Sequence, residues 1–209
     1  MNRPSQWIAT LGCALCLAIS VAAANAASET TPSTPEVHLV RVERPATLTF
    51  SELVTLSSQD PAPADIENHL SKLLTEPFVS NEATLLGAKP VRPRSPGLGI
   101  VIRAVEWNIN HGLNASEIKL ALSGSKQFEE EARAHGFASA KEAARVHDQL
   151  EALSTADLVI LNEVDLGVDR THYRDITREL AEALHMNYAF GVEFVELNRL
   201  YLGVKKLDS

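Results

Sequence analysis

From Ile100 onward, segments with the two-residue rhythm of a strand take turns with segments of helical periodicity, which confines the chain to few architectures. Ile100 to Asn108 (IVIRAVEWN) is β-branched, alternates in polarity and ends in an Asn-Ile-Asn-His-Gly turn. Ser139 and Glu142 form an S-x-x-E capping box opening a helix whose Ala143, Val146, Leu150 and Leu153 share one stripe. Asp157 to Leu161 (DLVIL) is too continuously apolar for a half-exposed strand and predicts a central strand covered on both faces. A second helix is expected near Tyr173 to His185, burying Ile176, Leu180, Ala183 and Leu184, and a third strand over Asn187 to Leu197. Strand, helix, strand, helix, strand is the order of an α/β fold whose helices cross over a sheet.

Upstream the pattern differs. Arg3 precedes a nearly apolar run from Trp7 to Ala24, followed by Ala24-Asn25-Ala26, the three parts of a secretory signal peptide over residues 1–26. A single transmembrane anchor competes, because the run approaches spanning length. The weak apolarity of an Ala-rich helix and the polar segment that follows favour cleavage after Ala26. The mature protein is then expected in the periplasm or outside the cell, without stable membrane insertion. Residues 27–36 read as a flexible linker, and 37–99 as an N-terminal extension packed on the core that follows. Within the extension, Val37 to about Phe50 suggests a strand interrupted at Pro45. Asp65 to Leu74 suggests a short helix presenting Ile66, Leu70, Leu73 and Leu74. The Pro-, Gly- and Arg-rich KPVRPRSPGLG looks like a boundary.

With 19 basic against 27 acidic residues the net charge is −8, which excludes a broad basic surface for non-specific nucleic-acid binding and leaves room for a local basic cleft. Both cysteines, Cys13 and Cys16, lie in the signal segment, so the mature chain is expected to hold no disulfide and no thiolate metal site. Lipidation at Cys13 would want Leu where Thr10 stands. No G-x-G-x-x-G or G-x-x-x-x-G-K-[ST] phosphate loop occurs.

Two polar groups end two of the expected strands. Asn108 closes IVIRAVEWN, and Glu163 follows DLVILN. Side chains at the carboxyl ends of neighbouring strands converge in open α/β sheets. A buried carboxylate there needs a partner. A hard dication such as Mg²⁺ or Mn²⁺ would serve, with the Asn108 carboxamide placed for a phosphate oxygen or a metal-bound water. A solvated Glu163, or one paired with an arginine, is the plainer alternative.

The wording of the two segments, EWNINHG and, some fifty residues on, ADLVILNEVD, resembles the endonuclease/exonuclease/phosphatase superfamily of DNase-I-like metal-dependent phosphoesterases. The matching residues are Trp107-Asn108 and Leu161-Asn162-Glu163, and the continuation to about Leu197 is similar to the family's next helix and strand. The resemblance implies a DNase-I-like four-layer α/β sandwich over 100–209. It also implies Glu163 and Asn108 as metal-side residues, Mg²⁺ or Mn²⁺ as cofactor, and hydrolysis of a phosphoester in a nucleic acid, an inositol phosphate or a phospholipid headgroup. Two departures stand out. Asn110 occupies a place where some members carry Asp. The family's later Gly-Asp-x-Asn and Ser-Asp-His strings do not occur. The chain therefore reads as the first half of such a domain, expected to expose apolar strand surface and to turn over phosphoesters poorly. A non-catalytic exported binding module or remnant of the same fold is the alternative.

Other polar residues are weaker candidates. His111 lies in the turn after Asn108 and could approach the site, although a solvated turn histidine is the plainer reading. Arg170 and His172, in DRTHYRD, could touch substrate at the site rim, or could belong to a solvated helix start with local ion pairs. His147-Asp148 reads as helix surface. No zinc-ligand spacing is present.

Overall fold

The computed structural model describes residues 38–40, 46–124, 126–134, 136 and 139–198. The expected signal peptide (1–26) and linker (27–36) lie outside the described residues, as do 41–45, the middle of the strand expected around Pro45. The described residues are mixed α/β and fall into two compact units, 89–164 on the one hand and 38–88 with 165–198 on the other. Residues 38–88 thus share a unit with the residues after Val164.

In chain order, the unit containing 38–88 begins with helices α1 (Phe50–Ser58) and α2 (Ala64–Thr75), then strand β1 (Phe78–Ser80) and the short helix α3 (Glu82–Leu85). The strand expected up to Phe50 is corrected here: 38–40 and 46–49 belong to no strand, and Phe50 opens α1. The cause is a T-x-x-E capping box. The Thr49 backbone amide and hydroxyl each donate to Glu52 at 2.6 Å, while the Glu52 amide donates to the Thr49 hydroxyl at 3.3 Å. His69 Nδ1 lies 2.8 Å from the other Glu52 oxygen and ties α2 to α1. The Thr49 hydroxyl, then His69, hold the Glu52 carboxyl down at about 2. The helix expected over Asp65 to Leu74 forms, but of its four apolar positions only Leu73 is buried.

Unit 89–164 opens with a hairpin of β2 (Arg94–Ser95) and β3 (Gly99–Ile100) and continues through β4 (Ala104–His111). Helices α4 (Ala115–Leu122), α5 (Lys126–Ala134) and α6 (Ala140–Ser154) follow, and β5 (Leu158–Val164) closes it. The first core strand therefore starts four residues later than Ile100 and runs past Asn108 to His111. β5 lies parallel to β4, with Ala104 opposite Leu158 and Asn108 opposite Asn162. Parallel pairing requires a crossover, and α4 to α6 supply it. Ser139 caps α6 by accepting from the Glu142 amide at 3.2 Å, as its capping motif predicts. Val105, Trp107 and Ile109 of β4 are buried, as are Ile118, Ala121 and Leu122 of α4 and Val146, Leu150 and Leu153 of α6. The other face is open. Leu158 is 47% and Ile160 45% exposed, so β5 is not covered on both faces, and among the described residues it pairs only with β4.

Gly124 follows the end of α4 at φ +66°, and a Cβ built there would lie 2.9 Å from the Cβ of Ser154. Gly124→Ala combines left-handed strain with that collision. It is expected to destabilise by about 2 kcal/mol, read as a lower urea midpoint at unchanged slope.

The second unit resumes at Asp165. The Arg170 guanidinium grips the buried Asp165 carboxylate through Nε at 2.6 Å and Nη2 at 2.7 Å, across a 3₁₀ turn at Asp169–Thr171. An isolated bridge pairs Leu166 with Asp175, and the Gly167 amide donates to the Arg174 carbonyl at 3.1 Å. Helix α7 (Ile176–Leu184) starts later than Tyr173 because His172 and Tyr173 are left-handed, with φ 56° and 59°. Its cap is Asp175, whose carboxylate accepts from the Arg178 amide at 3.0 Å. Ile176 and Leu180 are buried as expected, but Ala181 is buried and Ala183 exposed, since the inward stripe advances by four and then by one. β6 (Tyr188–Phe190) pairs antiparallel with β1, Phe78 opposite Phe190 with ring centroids 6.3 Å apart. The strand expected to Leu197 stops at Phe190, where its three-residue partner ends.

Candidate functional site

The parallel pair of β4 and β5 is latched at its start. Arg103 donates to Asp157 through its backbone amide (2.9 Å), Nε (3.0 Å) and Nη2 (2.9 Å), while the Arg103 carbonyl accepts from the amides of Asp157 (2.8 Å) and Leu158 (3.0 Å). The Arg103 hydrogen bonds hold the Asp157 carboxyl below the usual carboxylate range. Because strand side chains alternate, this latch decides which residues reach the exposed face five residues on.

At the carboxyl end, that register sets Asn108 beside Asn162 and one residue from Glu163. Asn108 Nδ2 donates to Glu163 Oε1 at 2.7 Å, and the side-chain oxygen Oδ1 of Asn108 accepts from the Asn110 backbone amide at 3.0 Å. The Glu163 carboxylate is thereby oriented by an amide that is itself oriented by the backbone. Three non-glycine residues here have left-handed backbones: Asn110 (φ 48°), His111 (φ 64°) and Glu163 (φ 54°). For Glu163, with no local side-chain bond that favours it, this conformation costs on the order of 1 kcal/mol. It also breaks the alternation of β5, so that Asn162 and Glu163 are both exposed. His111 Nε2 stands 3.9 Å from Glu163 Oε2.

Expectation and geometry differ on one point of physics. The Glu163 side chain is 48% exposed, so its charge is solvated and no buried-carboxylate penalty demands a cation. Its partner in the fold is the Asn108 amide, and the amide nitrogen rather than the oxygen faces the carboxylate. Arg170 and His172 belong to the other unit. Arg170 is held by Asp165, the local ion-pair reading of that loop, and His172 is exposed at the end of the 3₁₀ turn. His147 and Asp148 are exposed on α6, as expected of helix surface.

A second polar pair was not singled out from the sequence. Asn162 Nδ2 donates to Glu106 Oε1 at 2.8 Å, placing another carboxylate on the same exposed face. The signal was available in EWN, because residues two apart on a strand share a face.

Among the described residues no group of three or more His, Cys, Asp or Glu side chains is placed to hold a metal ion. The donors on this face, the Glu163 and Glu106 carboxylates with the carboxamides of Asn108 and Asn162 that bond them, are hard groups that suit a largely hydrated dication. They do not form a dehydrated cage. No protein-family model, curated protein or solved structure matches the chain.

Proposed function

We propose that the Asn108–Glu163 corner is the cation-anchoring part of a DNase-I-like, metal-dependent phosphoesterase domain in an exported protein whose signal peptide spans residues 1–26. The observation that carries the reading is the 2.7 Å bond between the two residues named by the family resemblance, at the carboxyl ends of adjacent parallel strands. Strand-end side chains that meet in this way are where ligands collect in α/β proteins.

In this reading Glu163 supplies the anionic oxygen, Asn108 keeps that carboxylate turned toward the strand ends, and the Asn110 amide keeps Asn108 in place. Mg²⁺ or Mn²⁺, when bound, would polarise a phosphoryl oxygen as a Lewis acid. The substrate is a phosphoester. The chain lacks strings matching the family's nucleophile-activating Asp and phosphate-contacting His, so its own turnover is expected to be slow, each missing group typically being worth about 10²-fold or more.

Glu163→Gln preserves shape and removes the charge that attracts a dication. Calorimetric titration with Mn²⁺ is expected to show weak binding to the parent and about tenfold weaker binding to the variant, one unit charge at a half-exposed site. Equal affinities would overturn the assignment. The scarcity of converging ligands among the described residues favours a second reading, a non-catalytic module of the same fold. Mn²⁺ binding without hydrolysis of a phosphodiester selects that one, and hydrolysis lost in Glu163→Gln selects the enzyme.

A further inference from the structure

The hairpin at the start of unit 89–164 has a composition unlike the rest of this acidic chain. From Ala83 to Val105 there is no Asp or Glu, whereas Lys89, Arg92, Arg94 and Arg103 all fall in that window. Arg103 is committed to Asp157. Lys89, Arg92 and Arg94 are exposed and form no ion pair among the described residues.

The same segment exposes aliphatic side chains. Val91 is 68%, Leu98 55%, Ile100 56% and Ile102 67% exposed. Their display is built into the backbone. Ser95-Pro96-Gly97-Leu98 is a tight turn closed by the Leu98 amide donating to the Ser95 carbonyl at 3.1 Å. Pro96 suits the second position of that turn, and Gly97, at φ +80°, supplies the left-handed third. Leu98 is therefore held at the tip. Behind it Arg94 pairs with Ile100, so a cation and an aliphatic side chain share one face, and the Val101 amide extends the hairpin by donating to the Pro93 carbonyl at 2.9 Å.

We infer that the 89–102 hairpin is a docking surface for an anionic lipid bilayer, with Leu98 and its aliphatic neighbours entering the interface and Lys89, Arg92 and Arg94 meeting lipid phosphates and carboxylates. Charge complementarity carries the choice of occupant. The chain as a whole carries a net charge of −8, and against that background the acid-free hairpin is a stretch of uncompensated positive charge that suits an anionic surface. A single-stranded nucleic acid would meet the same cations, but base stacking needs aromatic rings and the segment from Ala83 to Glu106 contains none. Exposed aliphatic side chains among cations are the pattern of interfacial membrane binding. The inference is independent of the phosphoesterase reading and rests on no residue of the Asn108–Glu163 corner.

The test is co-sedimentation of the full chain with vesicles of phosphatidylcholine alone or with about one-third phosphatidylserine. The apolar stretch Trp7 to Ala24 would itself partition, so the readout is the difference between chains that share it. The parent is expected to favour the phosphatidylserine vesicles. Arg92→Glu with Arg94→Glu should weaken that binding at least about tenfold, since each basic residue near an anionic leaflet contributes roughly fivefold. Leu98→Ser with Ile102→Ser should weaken it as well while leaving the salt dependence in place. All four positions are exposed, and unchanged far-ultraviolet dichroism confirms that the variants fold. Equal binding by parent and both double variants overturns the inference, as does indifference to phosphatidylserine. Binding of a single-stranded oligonucleotide, lost in the arginine variant without any vesicle binding, would overturn it in favour of a nucleic-acid surface.

Discussion

Ile176→Ala is expected to destabilise the chain by about 3 kcal/mol, within the range for removing a fully enclosed aliphatic side chain. Ile176 is completely buried, whereas the neighbouring core residues Leu180 and Ala181 retain slight exposure. It also stands at the first position of α7, directly after the Asp175 cap, so the cavity opens where the helix meets the loop that the Asp165–Arg170 clamp closes. Ile176→Val should lose about 1 kcal/mol at the same site. Ala183→Lys, by contrast, should be close to neutral, because Ala183 faces water. Urea unfolding followed by dichroism gives the order of the three, and a loss from Ala183→Lys as large as that from Ile176→Ala would mean the stripe of α7 is misassigned.

Asp157→Asn is expected to cost about 2 kcal/mol at neutral pH, the scale of a charge-assisted bond whose acceptor is largely enclosed. The Asp157 side chain is 14% exposed, and its two oxygens take three hydrogen bonds from Arg103. The amide keeps one acceptor, loses the other, and turns a donor toward the guanidinium. The effect carries a pH signature. The folded state holds the Asp157 carboxyl below its ordinary value of 3.8, so the folded state gives up the proton more readily than the unfolded chain. The stabilisation is therefore complete above that value and is lost as pH falls through the lower, folded one. Parent and variant should differ fully at pH 7 and converge in strong acid. A gap that persists unchanged there would mean that packing, not the ion pair, holds the strand start. The same variant should loosen the strand ends, because the latch sets the register that brings Asn108 to Glu163.

How much of this was legible depended on the range of the forces involved. The Ser139 cap and the Val146, Leu150, Leu153 stripe were readable because both are local. The Thr49 box was equally local, yet the β-branched residues before it suggested a strand that the capping hydrogen bonds override. Distant partners were not readable. DLVIL carries no mark that only one neighbour pairs with it, and Asn187 to Leu197 none that its partner, Phe78–Ser80, is three residues long. At the site, the convergence of Asn108 and Glu163 followed from their places at strand ends, but the hydrogen bond between them did not, a cation or an arginine being the partner expected for Glu163. The left-handed backbone that turns Glu163 outward did not, since no glycine marks the position. For Arg170 the local ion-pair alternative was readable from the charged loop, but its partner, the buried Asp165 five positions away across a turn, was not.

The parallel pairing of β4 with β5 fixes an order of events in time. His111 leaves the ribosome well before Leu158, separated from it by roughly forty-five residues, which at about 10 residues per second is some 5 s of synthesis. Throughout that interval β4 has inward side chains, Val105, Trp107 and Ile109, and no strand to bond. Only local events can shelter them, above all the formation of α4 from Ala115, Ile118 and Leu122, the first helix to emerge after β4. Each helix that forms in the crossover shortens the span to be closed, so the late meeting of Asp157 with Arg103 completes a nearly assembled layer rather than beginning one.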